Sequence, residues 1–331
     1  MTETARTAGT QGSDKPLSVG VDLGGTKTAV SVMDEDRQVL EETVFPTNPD
    51  AGVPDWTERT AKAARELALR HGRIVTVGVG AAGQVRADGT LVATANVGGW
   101  REVNLGAGVG QALGVPGTTD NDAKVELLAE LDRGAARGAR TVLLVAVGTG
   151  VGGAFAQDGV ISRGAQGFAG EIGHTPVHGG ERLCGCGSTG HLETFASGTG
   201  IFRSGAERAK LHPDGLLART MATEAGAHGV FAAAEAGDGD ARAVLAEAGF
   251  ILGEAIATFV TMIAADLVVL AGGVAFADGG YWEAARDAFD RKVHRTLIGT
   301  EWKRATLGDA AGTIGAGLVG WKLVEVQTAR T

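Results

Sequence analysis

The sequence predicts an α/β protein of two domains with a cleft between them, and three observations predict it. A chain of 331 residues is long for a single hydrophobic core. Short apolar runs ending in glycine turns, at 17–25 and 141–153, alternate with segments of helical period, such as 55–67 and 241–264. A strand, glycine turn, strand unit at 17–33 is echoed at 141–162, as two halves of one architecture would be.

Composition narrows the class. Hydrophobic residues make up 44% and aromatics only 5%, so the core is built from Val, Leu, Ile and Ala. The 54 glycines exceed the ordinary share of about 7% and gather after apolar strands. A net charge of -9 without a basic patch disfavours nucleic acid and anionic lipid as partners. Two cysteines in so long a chain point to a reducing compartment, and a cytoplasmic protein is expected. Residues 1–16 are polar and lack the apolar stretch of a signal peptide; a disordered tail is expected there. The apolar run 250–265 is broken by Gly253, Glu254 and threonines, as in a core helix and not a membrane span.

In chain order, 17–22 alternates as a strand, 23–27 makes a tight turn and 28–33 returns as a strand. Free amides at such a glycine tip bind oxyanions, and Asp22 at the strand end can hold magnesium or its water shell; an ordinary hairpin with an exposed aspartate fits equally well. Asp55 with Glu58 predicts a helix cap, with Trp56, Thr60, Ala64 and Leu67 on one face. A buried strand at 74–79 ends in Gly80-Ala-Ala-Gly83, and Asp88-Gly89 marks a hairpin turn. Trp100 reads either as a core aromatic or as part of a cleft. Asn121 and Asp122 open a helix reaching about Gly138, where caps are their simplest reading.

The apolar strand 141–147 runs into Gly148-Thr-Gly-Val-Gly-Gly153, which fits the spaced glycines of dinucleotide sites. Those sites need a helix next, whereas 154–157, an Asp158-Gly159 turn and 160–162 continue as strands. The unit instead repeats 17–33, each half presenting a phosphate-binding tip to one nucleotide. Residues 241–264 predict a long helix with Val244, Leu245, Phe250, Leu252, Ile256 and Phe259 as its apolar stripe. Strand 266–270 ends at Gly272-Gly273, which packs a helix on a strand or faces a ligand. The last helix begins within 308–317.

Segment 167–197 is the densest in chemistry. Glu171 and His174 face the same way on one turn, and Glu193 joins them if the loop folds back. Cys184-x-Cys186 is too tight for an unstrained disulfide. With His174 and His191 these thiolates form a four-ligand zinc set that would staple the loop.

This segment resembles the signature of the ROK family of bacterial sugar kinases and related repressors, which pairs Glu-x-Gly-His with a Cys-x-Cys-Gly-x-x-Gly-Cys-x-Glu zinc loop. The chain departs from it where His191 replaces the third cysteine, and Ala82 stands where members often carry proline. Further similarities are Asp22-x-Gly24-Gly25-Thr26-x-Thr28, Asn96-x-x-x-Trp100, Asn121-Asp122-Ala123 and the turns at 148–153 and 271–274.

The resemblance implies a two-domain actin-like (ribonuclease H-like) ATPase fold. Residues 17–122 with 310–331 would form one domain, and 123–309, with the zinc loop, the other. It implies an ATP-dependent hexose kinase acting on the 6-hydroxyl of glucose or N-acetylglucosamine, with N-acetylmannosamine or mannose as alternatives. Asp122 would be the general base. Gly83, Asn96, Asn121, Asp122, Glu171, His174 and Glu193 would bind the sugar. Asp22, Gly24, Gly25, Thr26, Lys27, Thr28, Gly148, Thr149, Gly150, Gly272 and Gly273 would bind ATP with magnesium. His174, Cys184, Cys186 and His191 would hold a structural zinc, and the protein would be a homodimer or homotetramer. The rival expectation is a non-catalytic, sugar-responsive regulator; DNA-binding members carry an N-terminal helix-turn-helix, whereas sixteen residues precede the first strand here. No Gly-x-x-x-x-Gly-Lys-Ser/Thr loop occurs, which excludes a P-loop kinase.

Overall fold

The structure is a computed structural model that describes residues 14–94, 97–177, 179–277 and 279–328. Of the tail expected over 1–16, residues 1–13 lie outside the described residues, and Pro16 already belongs to the first strand. The chain divides into two compact units, Met1–Val125 with Asp309–Thr331, and Glu126–Gly308.

The first unit opens with an antiparallel meander, β1 (Pro16–Leu23), β2 (Lys27–Met33) and β3 (Val39–Pro46). Helix α1 (Gly52–His71) leads to β4 (Arg73–Ala81), the short hairpin β5 (Gln84–Val85) and β6 (Leu91–Ala93), helix α2 (Leu105–Leu113) and β7 (Gly117–Asn121). The sheet order is β3-β2-β1-β4-β7, with β4 and β7 parallel to β1. Central β1 is buried on both faces, which accounts for its apolar run. Helix α1 starts earlier than expected. It begins at Gly52, behind a 3-10 turn, so Asp55 is not its cap but a first-turn residue 3.4 Å from Arg59. Pro54 was the overlooked signal, because proline fits a first helical turn. Trp56, Thr60, Ala64 and Leu67 are all buried.

Helix α3 (Asp122–Arg133) carries the chain into the second unit and ends short of Gly138. Its end is held by Glu130, whose carboxylate accepts from the Ala135 amide at 2.5 Å and from the Thr306 and Leu307 amides at 2.9 and 3.0 Å. The second sheet contains β8 (Val142–Val147), β9 (Val151–Gln157) and β10 (Val160–Ile161). Helices α4 (Glu193–Ala196), α5 (Gly198–Ala209), α6 (Leu216–Thr223), α7 (His228–Glu235) and α8 (Gly239–Ile263) precede β11 (Leu267–Ala271), α9 (Tyr281–Lys292) and β12 (Glu301–Arg304). Its order, β10-β9-β8-β11-β12, repeats the first sheet strand for strand.

Helix α8 is long and apolar enough to cross a membrane, but Leu245, Leu252, Ile256 and Val260 on it are fully buried in the core of the second unit. Phe250 departs from the expected stripe. Its helical phase lies on the side opposite Leu252 and Ile256, so it is exposed, with the Lys292 ammonium 5.9 Å from its ring centre.

The last helix, α10 (Ala310–Thr328), returns to the first unit and packs on β1 and β4. Ser18 and Thr76 donate hydroxyl hydrogen bonds to the Gly317 and Gly320 carbonyls at 2.8 and 3.1 Å. Backbones approach so closely that a Cβ on Gly78 would sit 1.9 Å from the Ala316 oxygen. Gly78→Ala is therefore expected to cost about 3 kcal/mol by forcing helix and sheet apart. Denaturant titration checks this, and an unchanged midpoint would contradict it.

Candidate functional site

At the first glycine tip, Gly24 and Gly25 are half-buried while Thr26 and Lys27 are exposed. The tip is braced from within: Thr47 donates its amide to the Thr26 carbonyl at 3.0 Å and its hydroxyl to the Gly24 carbonyl at 2.7 Å. Thr28, expected at the nucleotide, is fully buried. Its hydroxyl accepts from Trp56 Nε1 at 3.0 Å and lies 3.0 Å from that of Thr47, so it supports the tip from below. Lys27 Nζ pairs with Asp309 at 2.7 Å.

Asp22 lies against the first turn of α10, where a Cβ on Gly312 would meet its Oδ2 at 2.6 Å. Burial pushes its carboxyl up from 3.8 to about 6; Lys27 opposes the shift, and Glu42 and Asp309 add to it. A raised folded-state value favours the protonated form, so stability from this group is fully present below about pH 4 and lost as pH rises through about 6. Asp22→Asn should accordingly stabilise the ligand-free protein by roughly 1 kcal/mol at pH 8, with little change at pH 4. Melting curves at the two pH values check this; equal or reversed differences would contradict it.

The second tip, Gly148–Gly150, is docked on α5: Gly198 donates to the Gly148 carbonyl at 2.8 Å and Thr199 to that of Thr149 at 3.4 Å. Of the pair after β11, Gly272 packs on the end of β8, and a Cβ there would lie 2.5 Å from the Val147 oxygen. Nothing lies within 4 Å of a Cβ placed on Gly273, which opens a 3-10 turn.

Where β7 meets α3, Asn121 is 7% exposed and Asp122 is exposed. Asn121 Nδ2 donates to the Gly83 carbonyl at 3.0 Å and to Asp122 Oδ1 at 2.8 Å, and its Oδ1 accepts from the Lys124 amide at 3.2 Å. The cap reading thus holds for Asn121. Asp122 Oδ1 also accepts from the Ala123 amide at 2.9 Å. Gly83 has a φ of 146°, and a Cβ on it would lie 2.3 Å from the Ala93 oxygen, so no other residue fits. Asn96 lies outside the described residues. Trp100 is a core aromatic, 6% exposed and edge-on to Trp56 at 5.8 Å.

Glu171 precedes and His174 ends a 3-10 turn, Ile172–His174, laid directly on β9, where a Cβ on Gly173 would meet the Val151 oxygen at 2.0 Å. His174 Nε2 is 3.9 Å from Glu171 Oε2, and its Nδ1 is 4.0 Å from Glu193 Oε1. Both cysteines are free thiols. Ligand atoms of His174, Cys184, Cys186 and His191 all lie within 4.8 Å of one another. The two Nδ1 atoms are 3.3 Å apart, Cys184 Sγ is 3.6 Å from that of His174, and Cys186 Sγ is 3.3 Å from that of His191. A tetrahedron with zinc bonds of about 2.0 Å to nitrogen and about 2.3 Å to sulfur has edges of roughly 3.3–3.8 Å, so this donor set fits zinc. Without metal, burial pushes the Cys184 thiol up to about 12.

Two features of this loop escaped sequence reasoning. Arg182 donates to the Thr194 carbonyl, Ser204 Oγ and Glu207 at 2.9–3.1 Å and stacks over Phe195, clamping the loop to α4 and α5. Glu193 joins two sites. Its Oε1 is 2.9 Å from Cys184 Sγ, and its Oε2 lies 2.9 Å from where a Cβ on Gly150 would stand.

The ROK family profile matches residues 18–320. A glucokinase of Halalkalibacterium halodurans is 35% identical over 308 residues, covering 90% of this chain and 93% of that protein. The crystal structure of a ROK hexokinase from Thermus thermophilus superposes with a TM-score of 0.80 at 32% identity, covering 93% of this chain and 99% of that one. That of a Streptomyces griseus ROK family glucokinase in complex with glucose and AMPPNP gives 0.75 at 30% identity, covering 92% and 99%.

Proposed function

The chain belongs to the ROK family and has its duplicated actin-like α/β fold, and from that premise we propose that it is an ATP-dependent hexose kinase acting on the 6-hydroxyl of glucose or N-acetylglucosamine. The observation that carries the reading is Asp122, an exposed carboxylate at the first position of α3 with one oxygen held by two donors. A neutral primary alcohol is too weak an acid to ionise unaided, so a fixed base beside it is the chief requirement. Asp122 takes the hydroxyl proton as the sugar oxygen attacks the terminal phosphorus in line; the bond to the bridging oxygen breaks and ADP leaves.

The two glycine tips, Gly24–Lys27 and Gly148–Gly150, supply amides to the phosphates. Asp22 would hold magnesium, which neutralises phosphate charge. Glu171, His174 and Glu193, gathered around one turn, offer acceptors and a donor suited to vicinal hydroxyls. Zinc held through His174, Cys184, Cys186 and His191 would be structural, and coordination through Nδ1 leaves His174 Nε2 on the Glu171 side. A purified-protein assay with ATP and glucose, N-acetylglucosamine, N-acetylmannosamine and mannose tests the proposal. The 6-phosphate of one of the first two should form with the highest kcat/KM. Failure to phosphorylate any of the four would overturn it.

A further inference from the structure

We infer that Phe276 and Arg304 form the shelf on which the base of the nucleotide stacks, an inference that rests on the chain's being an ATP-dependent kinase. Strands β8, β11 and β12 run parallel, and in such sheets ligands bind beyond the carboxyl ends of the strands. Three features stand side by side on that edge. The Gly148–Gly150 tip follows β8, the Gly272–Gly273 turn follows β11, and Arg304 is the last residue of β12, paired with Leu270. The Ala305 amide donates to the Leu270 carbonyl at 2.8 Å, so the end of β12 is fixed against β11. Neighbouring strands lie about 4.8 Å apart, which places Arg304 two strands, or about 10 Å, from the tip after β8. A nucleotide with its phosphates at Gly148–Gly150 and its ribose over the open side of Gly273 therefore carries its base toward Arg304.

Phe276 is what the base meets there. It ends the 3-10 turn Gly273–Phe276 and is 54% exposed, although Val274 and Ala275 beside it are buried. The turn that presents it is fixed, because Trp282 Nε1 donates to the Val274 carbonyl at 3.0 Å and the Ala275 amide to that of Gly272 at 3.0 Å. The Arg304 guanidinium lies over the ring, 5.8 Å from its centre. Stacked atoms sit about 3.5–4.0 Å apart, so the two flat groups are adjacent without closing on each other. A planar base needs only about 1–2 Å more from the exposed Arg304 side chain to lie between them. An aromatic ring and a guanidinium stack on any base, so the shelf contributes affinity for a base and not a choice between bases.

Calorimetry with magnesium ADP and with magnesium tripolyphosphate, which has phosphates but no base, tests this without requiring turnover. Phe276→Ala should weaken ADP binding about 10- to 100-fold while tripolyphosphate affinity changes less than about twofold. Its melting temperature should not move, since Phe276 is exposed. Arg304→Gln should weaken ADP about threefold through the lost cation. Phe276→Trp keeps a flat face; it should retain ADP affinity, and its added indole fluorescence should be quenched by ADP and not by tripolyphosphate. Wild-type ADP affinity in Phe276→Ala, or an equal loss for tripolyphosphate, would overturn the shelf while leaving the kinase reading intact. A wild-type protein that binds no ADP would overturn that reading and the shelf with it.

Discussion

Asp122→Asn is expected to lower turnover by about three orders of magnitude or more while leaving folding and sugar affinity near wild type. The replacement is nearly isosteric, and its carbonyl oxygen can still accept from the Ala123 amide and from Asn121 Nδ2. What disappears is the ability to take a proton. General-base catalysis alone contributes about 100- to 10,000-fold, and its loss also leaves the attacking hydroxyl without an oriented acceptor. Steady-state kinetics with calorimetric sugar binding checks both halves. Turnover close to wild type in a correctly folded variant would take Asp122 out of the base role, and a proportionate loss of sugar affinity would make it a binding group.

Much of this architecture was legible because two kinds of pattern coincide in the chain. The hairpins at 17–33 and 141–162 are written twice in apolar runs and glycines, and the structure extends that repeat to two whole five-stranded sheets of the same order. The extension was hidden because β12 is four largely exposed residues with no apolar signature. That His174, Cys184, Cys186 and His191 gather in one place was legible because cysteine and histidine are few and their spacing is local.

What stayed hidden depends on long-range contacts. That Thr28 turns inward is decided by Trp56 and Thr47, residues far along the chain. Arg182 carries no local signal, since its partners lie 12 to 25 positions away. The brace from Gly83 to Asn121 spans 38 positions, and only the placement of β4 beside β7 brings them together. Phe250 is a different case: strict helical phase places it outside the stripe, and hydrophobicity alone misassigns it.

Replacing Cys184 with serine is expected to remove one zinc ion per chain, lower the melting temperature and raise the sugar KM about tenfold, with a smaller rise for ATP. Four protein donors within 4.8 Å of one another would close the coordination shell of a zinc ion, so the metal's contribution would be to the loop's shape. Structural zinc stabilises isolated finger peptides by about 10–16 kcal/mol, but here Arg182 independently clamps the loop to α4 and α5, so its loss should disorder the loop without unfolding the unit. The sugar effect follows from position: His174 follows Glu171 by one turn, and Glu193 follows His191 by two residues, so both carboxylates stand at the ends of the stapled segment. The nucleotide effect is smaller but not zero, because Glu193 also abuts Gly150 of the second tip. His191→Cys, which exchanges imidazole for the thiolate of the ROK pattern, should keep or tighten the metal. Elemental analysis of the purified wild type with kinetics of the Cys184→Ser variant decides the question: a zinc-free wild-type protein with full activity and an unchanged melting temperature would show that this loop is held by Arg182 and its own turns alone.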